Sequence, residues 1–457
     1  MKIKRRRKEE IAKRMRILLS IIGLGLFNSV SAQENKVWTL QECVNYALEN
    51  NISVKQSELD KNSSLEDVKA AKWNFAPNLN ANASQNFNFG SSIGVSGVRI
   101  PADFRSNNLG INSAVNLFDG FANIQNLKQA KLGVQIQDAA IAKMKNDISL
   151  NVVNAYLQIL FAKEQLKVAQ AQLTISEDQV KRIGELVEAG VLAQGDLLNI
   201  KSTLANDNQS LIVAENTILI TSLNLAQLLQ LETSQIAIEE IGIDIKNQTI
   251  LANDVATIYM KANESFPEIK LAELNILNAQ KSVQISKANF YPSLSASFGM
   301  NTAYQHRQGS TDISPFLFSE QIDNNLGQSI AIGLNIPIFN RYQFRSSVNK
   351  AKINFQKVEY NLESERLRLQ QTIQNAYTDA LASSKSYDAA TISVDAQTKA
   401  FEYSQERFKA GAINSFDFNQ TKNNLISAQS QLIRSKYDFM FKLKVLEFYF
   451  GIPFVAE

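Results

Sequence analysis

Four segments of the chain alternate apolar and polar side chains. In the first, after Pro77, residues such as Leu79, Ala81 and Phe87 alternate with asparagine and serine. The four segments cover about residues 78–89, 109–118, 293–304 and 328–339. A period of two fits an extended strand, whose successive side chains point to opposite faces. The pattern therefore predicts four strands, and Pro337, at a polar position of the last one, predicts an edge, a bulge or a strand end.

The rest of the sequence predicts unusually long helices. Proline is absent from residues 102–266 and 338–452. We predict long helices over about 123–186 and 343–408, each roughly 95–100 Å at 1.5 Å per residue. Shorter helices are predicted over 196–231 and 417–450, and before the strands over 52–75 and 268–291. Since two shorter helices together match one long helix, we expect them to lie end to end beside it as a rod.

The two halves of the chain repeat one another. The tripeptide Asn154-Ala155-Tyr156 recurs 221 residues later as Asn375-Ala376-Tyr377. We therefore predict two copies of one unit, residues 33–235 and 236–457. A heptad series along each long helix predicts the side that packs on neighbouring helices. The two series are Leu127, Val134, Ile141, Ile148, Ala155, Ala162 and Ala169, and Val348, Phe355, Leu362, Leu369, Ala376, Ser383 and Ala390.

The alternating strands have two interpretations. Their apolar face packs on a soluble core, or it faces lipid while Asn, Ser and Gly face a water-filled lumen. Strand length and the small polar set favour the second interpretation. Aromatic residues at the helix–strand junctions favour it too, because such residues form interfacial girdles; packing within the junctions is the alternative role. These aromatics are Trp73, Phe75, Phe118, Phe121, Phe290, Tyr291, Phe339, Tyr342 and Phe344.

Four strands cannot close a barrel by themselves. Unpaired strand edges are not tolerated in hydrocarbon, so other copies of the chain must complete the barrel. A dimer would have eight strands and an interior nearly filled by side chains, whereas a trimer would have twelve strands and a channel. We predict a mainly α fold with membrane β-strands, in which a homotrimer forms one 12-stranded barrel in outer-membrane lipid.

The composition argues against catalysis and metal binding. The 457 residues include one Cys and one His, which leaves no internal disulfide, CxxC knuckle or His-rich metal site. No spacing sets two carboxylates apart as a catalytic pair. We therefore expect no enzyme activity, no cofactor and no metal site. Cys43 is expected to be a buried apolar residue of a short helix.

The net charge of +3 comes from the N-terminus. Residues 1–32 hold nine of the 47 basic residues and two of the 44 acidic ones, so the remainder has a net charge of −4. A nucleic-acid-binding protein keeps its basic excess on the folded part. We therefore expect no nucleic-acid partner.

The N-terminus itself predicts a signal peptide, residues 1–32. A basic stretch ends at Arg16, the apolar run Ile17–Phe27 follows, and small residues lead to a cleavage site after Ala32. The apolar run is shorter than the roughly 20 residues that a membrane span requires. An amphipathic anchor is the competing interpretation, and Met15 is an alternative start.

A matched turn follows each long helix, and the two turns are Glu188–Asp196 and Lys409–Asp417. Gly190 and Gly411 suit the left-handed residue that ends a helix, and Asp196 and Asp417 suit the cap that starts the next one. In a trimer each aspartate would also recur as a ring of three carboxylates. Such a ring would line a constriction and favour cations, and this role is compatible with capping.

These features together resemble the TolC family of outer-membrane efflux proteins. They are the export signal, the duplicated unit, two strands per copy and a Gly with Asp six residues later in both copies. The resemblance covers about residues 36–453. It implies a trimeric 12-stranded barrel in the outer membrane above a long periplasmic α-barrel, closed by an iris at its inner tip. It further implies docking to a periplasmic adaptor (membrane fusion) protein and an inner-membrane RND or ABC-type transporter.

The resemblance also implies roles for residues at the tip. Asp417 takes the place of a gate aspartate, and Asp196 that of the aspartate in the first tip turn. Gln420 stands where a second gate aspartate is expected, Ile413 where an arginine is expected, and Phe408 where a tyrosine is expected. The polar contacts between tip helices that the resemblance implies are therefore not reproduced with the same residue types in this chain. Adaptor docking is implied at Ala189, Gly190, Val191, Ala410, Gly411 and Ala412.

The resulting prediction is a passive exit duct of a tripartite efflux or type I secretion system, gated at its periplasmic helical tip. The competing interpretation is a periplasmic coiled-coil scaffold or adhesin whose strands form an ordinary β-domain. Loops at residues 90–108 and 305–327 are expected to face outward, with His306 as a solvated loop residue. Nothing in the sequence indicates the cargo.

Overall fold

The computed structural model describes residues 36–93, 97–101, 103–231, 236–240, 249–307 and 317–452. The predicted signal peptide, residues 1–32, lies outside the described residues. The described part of the chain is mainly helical, and its largest β element is a four-stranded sheet.

Two very long helices organise the chain. The α-helices are α1 (Leu40–Asn50), α2 (Ile52–Trp73), α3 (Ala122–Glu188), α4 (Gln194–Leu229), α5 (Val255–Ser265), α6 (Pro267–Ala288), α7 (Phe318–Asn324), α8 (Gln343–Lys409) and α9 (Ser415–Tyr449). Helices α3 and α8 have 67 residues each. Helices α2 and α4 pack along α3, and α6 and α9 pack along α8. Helix α3 also contacts α6 and α9, which joins the two copies.

The heptad positions face this packing. None of the fourteen residues in the two series is exposed, and Ile148, Ala155, Ala162, Val348 and Leu369 are among the buried ones. Since the side chains at heptad positions point to one side of a helix, their burial confirms the predicted packing side.

The strands form one main sheet and two small ones. They are β1 (Val37–Trp38), β2 (Asn80–Asn88), β3 (Ser91–Ile93), β4 (Arg99–Pro101), β5 (Phe104–Asp119), β6 (Ala237–Ile238), β7 (Ser293–Arg307) and β8 (Gly327–Asn335). The main sheet has the order β2-β5-β7-β8, and all its neighbours are antiparallel. Strands β2 and β8 are its edges.

The sheet differs from the predicted strands at its ends. Strand β5 begins at Phe104 rather than near residue 109, because polar residues there pair with both β2 and β7. Strand β8 ends at Asn335 rather than near 339, because Pro337 has no N–H for a ladder hydrogen bond. Phe339 therefore follows the strand instead of belonging to it.

Both predicted outer loops contain regular structure. The hairpin β3–β4 and the start of β5 lie in the loop expected at residues 90–108. Helix α7 lies in the loop expected at residues 305–327. His306 was expected in that loop, but it is an exposed residue of β7 that pairs with Arg105. The loop boundaries were predicted wrongly because β5 and β7 extend into polar residues, which show no alternation of apolar and polar side chains.

The main sheet has one largely apolar face and one small polar face. Residues directly opposite in register share a face. Apolar rungs are Ala81–Ile111–Met300, Phe298–Ile330 and Val115–Ala296–Ile332. Polar rungs are Asn80–Asn112–Gly299–Ser329, Asn82–Gly110–Asn301–Gly327 and Asn116–Ser295–Gly333.

Neither face of the edge strands is covered. Every residue of β2 and of β8 is exposed within the described part of the chain. Leu79 is 75% exposed and Ile332 is 71% exposed, although both belong to the apolar set. Such exposure of both faces argues against a soluble core under the sheet.

The repeated tripeptide holds the middle of the rod together. The hydroxyl of Tyr156 lies 2.7 Å from the carbonyl oxygen of Glu239 and 3.2 Å from that of Trp38. In the second copy, the hydroxyl of Tyr377 donates to the carbonyl of Leu251 at 3.0 Å. Each long helix thus uses the same tyrosine to fix a peptide segment beside it. Buried polar backbone groups need such partners.

Candidate functional site

The two tip turns have the same backbone geometry. Gly190 and Gly411 both have φ of +72°, and each follows the C-cap alanine of a long helix. The N–H of Val191 donates to the carbonyl of Leu186, and the N–H of Ala412 donates to that of Arg407, both at 2.8 Å. This pattern, with a left-handed glycine after the last helical turn, is a Schellman motif. The glycines are thus required by backbone conformation.

The two aspartates are not the helix caps that the sequence predicted. Helix α4 begins at Gln194 after Ala193, and α9 begins at Ser415 after Asn414. Asp196 and Asp417 are therefore third in their helices. The Asn414 side chain performs the capping, since its Oδ1 accepts from the N–H of Asp417 at 2.8 Å. In the first turn, a carboxylate instead interacts favourably with the positive end of the helix dipole.

The aspartates have different surroundings. Oδ1 of Asp196 accepts a hydrogen bond from Oγ of Ser415 at 3.3 Å, so this carboxylate joins the two turns. Asp417 is exposed, and among the described residues no side chain lies within hydrogen-bond distance of its carboxylate. A further contact joins the copies, because the Arg182 guanidinium donates to the carbonyl of Lys409 at 3.0 Å.

The other predicted gate residues differ in burial. The Phe408 ring stacks on Phe418 with centroids 4.8 Å apart, and the Arg182 guanidinium lies 5.8 Å from its centroid. Ile413 is partly buried and packs against the cluster of Phe401, Phe418 and Leu425. Gln420 is exposed and donates to Asn424 at 3.1 Å. Phe408 and Ile413 therefore hold α8 against α9 within one chain.

A groove of about 670 Å³ lies between the two tip turns. Its walls include Val191, Ala410, Gly411 and Ala412, which are predicted docking residues. Ala189 and Gly190 lie beside it and are exposed. Apolar side chains such as Leu186 and Ile413 line the groove, and Arg182 also lies in its wall.

Reactive side chains are few in the described part of the chain. No group of three or more His, Cys, Asp or Glu residues there is placed to hold a metal ion. Cys43 is fully buried in α1, as the sequence predicted, and burial raises the pKa of its thiol to about 12. A thiol with such a pKa is almost never a thiolate and is therefore unreactive at neutral pH.

Comparison with known proteins identifies the family. The outer membrane efflux protein family matches residues 43–230 and 258–451, which includes both copies of the unit. The chain belongs to this family. TolC of Escherichia coli K12 is 22% identical over 436 residues, which are 93% of this chain and 84% of TolC. CyaE of Bordetella pertussis is 23% identical over 393 residues, 86% of this chain and 79% of CyaE.

The fold of this efflux protein agrees with that of a solved channel. The crystal structure of the Campylobacter jejuni CmeC outer membrane channel superposes with a TM-score of 0.71 at 16% identity. The match covers 90% of this chain and 85% of that one. The protein is thus an outer-membrane efflux channel with a large periplasmic part, as the sequence predicted. Related channels are trimers that work with adaptor proteins and inner-membrane transporters.

The aromatics predicted at the membrane interface are partly exposed and partly packed in this efflux protein. Trp73, Phe75, Phe121, Phe290, Tyr291, Phe339 and Tyr342 all have exposed side chains. Two ring contacts also occur among the aromatics: Phe118 with Phe121 at 5.1 Å between centroids, and Phe290 with Phe344 at 5.8 Å. Packing within the junctions and an exposed surface therefore occur together at Phe121 and Phe290, and the interfacial role stays a prediction.

One buried polar cluster was not predicted from the sequence. Lys422 of α9 is 1% exposed, and its Nζ lies 2.7 Å from Oδ2 of Asp207 in α4, which is 5% exposed. Ser176 of α3 contacts both of these groups, and Gln172 donates to Oδ1 of Asp207. The cluster thus joins α3, α4 and α9. The periodicity of the sequence does not distinguish Lys422 from a lysine exposed to solvent, so its burial could not be predicted from the sequence pattern.

We predict that Lys422→Met destabilises the efflux protein by about 3–5 kcal/mol, because Asp207 is left as an unpaired buried charge. The double variant Asp207→Leu with Lys422→Met should recover most of this loss, since neither charge remains. The midpoint of urea unfolding, followed by helical circular dichroism in detergent, measures both effects.

The matched control is Lys399→Met, which removes an exposed lysine paired with Asp395 at 2.8 Å. It should leave the midpoint almost unchanged, because exposed ion pairs contribute little. Equal destabilisation by Lys422→Met and Lys399→Met would contradict the role assigned to the buried cluster.

Proposed function

We propose that this protein is a homotrimeric, passive exit duct whose 12-stranded barrel crosses the outer membrane. The observation that carries this proposal is the four-stranded sheet, whose edge strands β2 and β8 are exposed on both faces and have no outer neighbour within the described part of the chain. In hydrocarbon every backbone N–H and C=O needs a partner, so an open edge requires another strand. A second and a third copy supply it.

The two edges are suited to pair with each other. Strands β2 and β8 both have nine residues, about the length that a tilted strand needs to cross a membrane. Because strand direction alternates from β2 to β8, β8 of one copy runs antiparallel to β2 of the next. Such a head-to-tail contact closes as a ring when the rotation fits. Three copies give twelve strands and an open interior, whereas two give an interior that side chains fill.

The two faces of the sheet suit lipid and water. The rungs of Ile111, Phe298 and Ile332 would face lipid, and the Asn, Ser and Gly rungs would line the lumen. Exposed aromatics such as Trp73 and Tyr342 would lie at the interface, where amphipathic rings are stabilised. The membrane thus covers the apolar surface that the chain leaves exposed.

The periplasmic end carries the proposed gate. In a trimer, Asp417 and Asp196 each occur three times. Among the described residues of a single chain, no side chain hydrogen-bonds to the carboxylate of Asp417. A ring of such carboxylates lowers the energy of cations at the constriction. Phe408, Ile413 and Gln420 replace the polar gate groups implied by the resemblance, so we propose that apolar packing around Phe418 helps to hold the tip closed.

The conduit needs partners because it has no catalysis or cofactor of its own in this proposal. A periplasmic adaptor docks at the tip groove, where Val191, Ala410 and Ala412 are accessible. An inner-membrane RND or ABC-type transporter supplies the energy and selects the cargo. The signal peptide, residues 1–32, directs export, and the units 33–235 and 236–457 follow it.

The proposed assembly predicts an SDS-resistant trimer in outer-membrane extracts, with single-channel conductance in planar bilayers. Gel mobility before and after boiling and bilayer recording measure the two properties. A water-soluble monomer without conductance would instead support the scaffold or adhesin interpretation and would overturn this proposal.

The proposed gate predicts that Asp417→Ala weakens cation selectivity. Removal of a ring of three carboxylates should lower the cation-to-anion permeability ratio by about twofold or more. The reversal potential under a KCl gradient measures this ratio. Asp254→Ala removes an exposed aspartate before α5 and serves as the control with unchanged selectivity. An unchanged ratio in Asp417→Ala would count against the gate assignment.

The proposed docking surface predicts that Ala412→Asp weakens adaptor binding by about tenfold or more, since an unpaired charge would be buried in the contact. Trimer formation and conductance should stay as in the unmodified protein, because a side chain at position 412 is exposed. Binding of the purified adaptor to immobilised trimers measures the effect, with Ala256→Asp on α5 as the control. Equal adaptor affinity in both variants would disprove docking in the groove.

A further inference from the structure

The apolar face of the main sheet becomes polar and basic at the end that lies farthest from the long helices. Along β7 the side chains on this face are apolar from Leu294 to Met300, and Thr302 then pairs with Leu109. Two further rungs continue the same face, and we call them the outer rungs. They are Gln85–Asn107–Tyr304 and Phe87–Arg105–His306. The outer rungs thus bring an arginine and a histidine together on a face that is otherwise largely apolar.

The outer rungs lie at a definite height in the proposed barrel. From Leu294 to His306, β7 extends over twelve residues, which is about 40 Å at roughly 3.3 Å per residue. A strand tilted by about 40° therefore rises roughly 30 Å along the membrane normal, whereas the apolar band of such a barrel is about 25 Å tall. With Leu294 at the inner boundary of this band, Tyr304 lies at its outer boundary. Arg105 and His306 then lie just beyond it, at the level of the lipid headgroups.

The Arg105 guanidinium is held in place by a tyrosine. Its Nη2 donates to the hydroxyl of Tyr304 at 3.4 Å, and its central carbon lies 5.6 Å from the centroid of the Tyr304 ring. Tyr304 is only 8% exposed, and its ring packs on Phe318 of α7 with 5.0 Å between centroids. A guanidinium has five N–H donors. Most of them therefore stay available at the exposed end of Arg105.

Helix α7 fixes this tyrosine because it is itself fixed to β7. Oγ1 of Thr302 donates to the carbonyl of Ile322 at 2.6 Å, and Nδ2 of Asn325 donates to the carbonyl of Ala303 at 2.7 Å. Strand β8 begins only at Gly327, so α7 takes its place beside the outer end of β7. The position of the guanidinium thus depends on regular structure on both sides of Tyr304.

No carboxylate neutralises Arg105 within the described part of the chain, where its polar contact is with Tyr304. Successive helical residues turn by about 100°, so Glu320 and Asp323 lie on the side of α7 that points away from β7. The Glu320 carboxylate accepts from a backbone N–H at the start of α7 at 2.9 Å. Oδ1 of Asp103 accepts from the N–H of Gly90 at 2.6 Å. The nearby acids therefore leave a basic site at headgroup level.

We propose that Arg105 and His306 bind the phosphate of an anionic lipid in the outer leaflet, and that Tyr304 is a positioning residue for Arg105. The planar guanidinium matches two phosphate oxygens at once. His306 lies directly opposite Arg105 in register, at about 5 Å between Cβ atoms, and an imidazole N–H adds a donor. The inference rests on the proposed function, because the outward direction of this face follows from the barrel.

The apolar rungs favour a lipid over a free phosphate ion as the occupant. Leu109, Ile111 and Met300 continue the face directly below the basic site. They provide an apolar surface for the hydrocarbon chains of a lipid whose phosphate is at Arg105. A free phosphate ion would have only exposed side chains as partners, in competition with water. The trimer would hold three such lipids, one on each subunit.

Lipid retention by purified trimers tests the site, with diphosphoryl lipid A as the probe. Native mass spectrometry of trimers in detergent should show up to three bound lipid A molecules. The same glycolipid without its phosphates should bind about fivefold more weakly or less, and inorganic phosphate at the same concentration should not displace lipid A. Equal retention of the two glycolipids, or displacement by inorganic phosphate, would overturn the inference.

Variants identify the residues. Arg105→Gln should weaken lipid A binding about fivefold, as loss of one basic residue near an anionic surface does, and Arg105→Gln with His306→Gln should weaken it further. Arg105→Lys should retain most of the affinity, since it keeps the charge. Arg407→Gln is the matched control, because it removes an exposed arginine at the far end of α8. Equal affinity in Arg105→Gln and Arg407→Gln would refute the assignment.

A double-mutant cycle tests the positioning role of Tyr304. Tyr304→Phe keeps the ring that packs on Phe318 and removes the hydroxyl that holds Arg105. It should weaken lipid A binding about twofold or more in the otherwise unmodified protein and have no further effect in Arg105→Gln. The same loss in both backgrounds would show a merely structural effect and would contradict the positioning role.

Trimer formation and conductance distinguish the two levels of failure. All these variants should give SDS-resistant trimers with the conductance of the unmodified protein, because the site lies outside the lumen. Absence of trimers and conductance in the unmodified protein would overturn the proposed function. Normal trimers and conductance without phosphate-dependent retention of lipid A would overturn this inference alone.

Discussion

The structure depends on one constraint: backbone hydrogen-bonding groups inside a membrane must be paired. The chain contributes a sheet whose internal strands β5 and β7 are paired on both sides, while β2 and β8 each have one free edge. One chain by itself therefore cannot be stable in lipid, and the proposed trimer follows from these two free edges. The long helices α3 and α8 are the next elements after strands β5 and β8, so each copy of the unit continues from the sheet into a helix of 67 residues.

The two copies of the unit have the same fold but make different contacts near the tip. Within one chain, Arg182 of the first copy donates to the carbonyl of Lys409, and Ser415 of the second copy donates to Asp196. Residues 221 positions apart are equal in position but not in chemistry, because Asp207 and its buried partner Lys422 correspond to Ala428 and the exposed Lys201. An interface with a buried ion pair resists separation, since breaking it leaves charges without water or partner. The duplicated chain thus has a buried ion pair at one of two equivalent positions and an exposed lysine at the other.

The sequence predicted the elements well because periodicity reports which side of an element is buried. Heptad residues such as Ile148 and Leu369 and alternating residues such as Ile332 therefore gave the helices and strands. The start of β5 at Phe104 was not predicted, because most of the residues that pair there are polar and do not alternate with apolar ones. The capping role of Asp417 was wrong because the helix begins two residues earlier, where the Asn414 side chain caps it by accepting from the N–H of Asp417. Lys422 was missed because its burial depends on three helices meeting, which no local pattern records.

The polar face of the sheet has a further property that bears on transport. Gly110 and Gly299 lie among Asn82, Asn112 and Asn301, and a Cβ at Gly110 would overlap the amide oxygen of Asn301. The glycines therefore let neighbouring amide side chains lie flat over the strand. Asn112 donates to Asn82 at 3.0 Å, so the amides also bond to one another. Uncharged amides neither attract nor repel an ion strongly by charge. In the proposed conduit, charge discrimination would then arise where a carboxylate stands free, as that of Asp417 does at the tip.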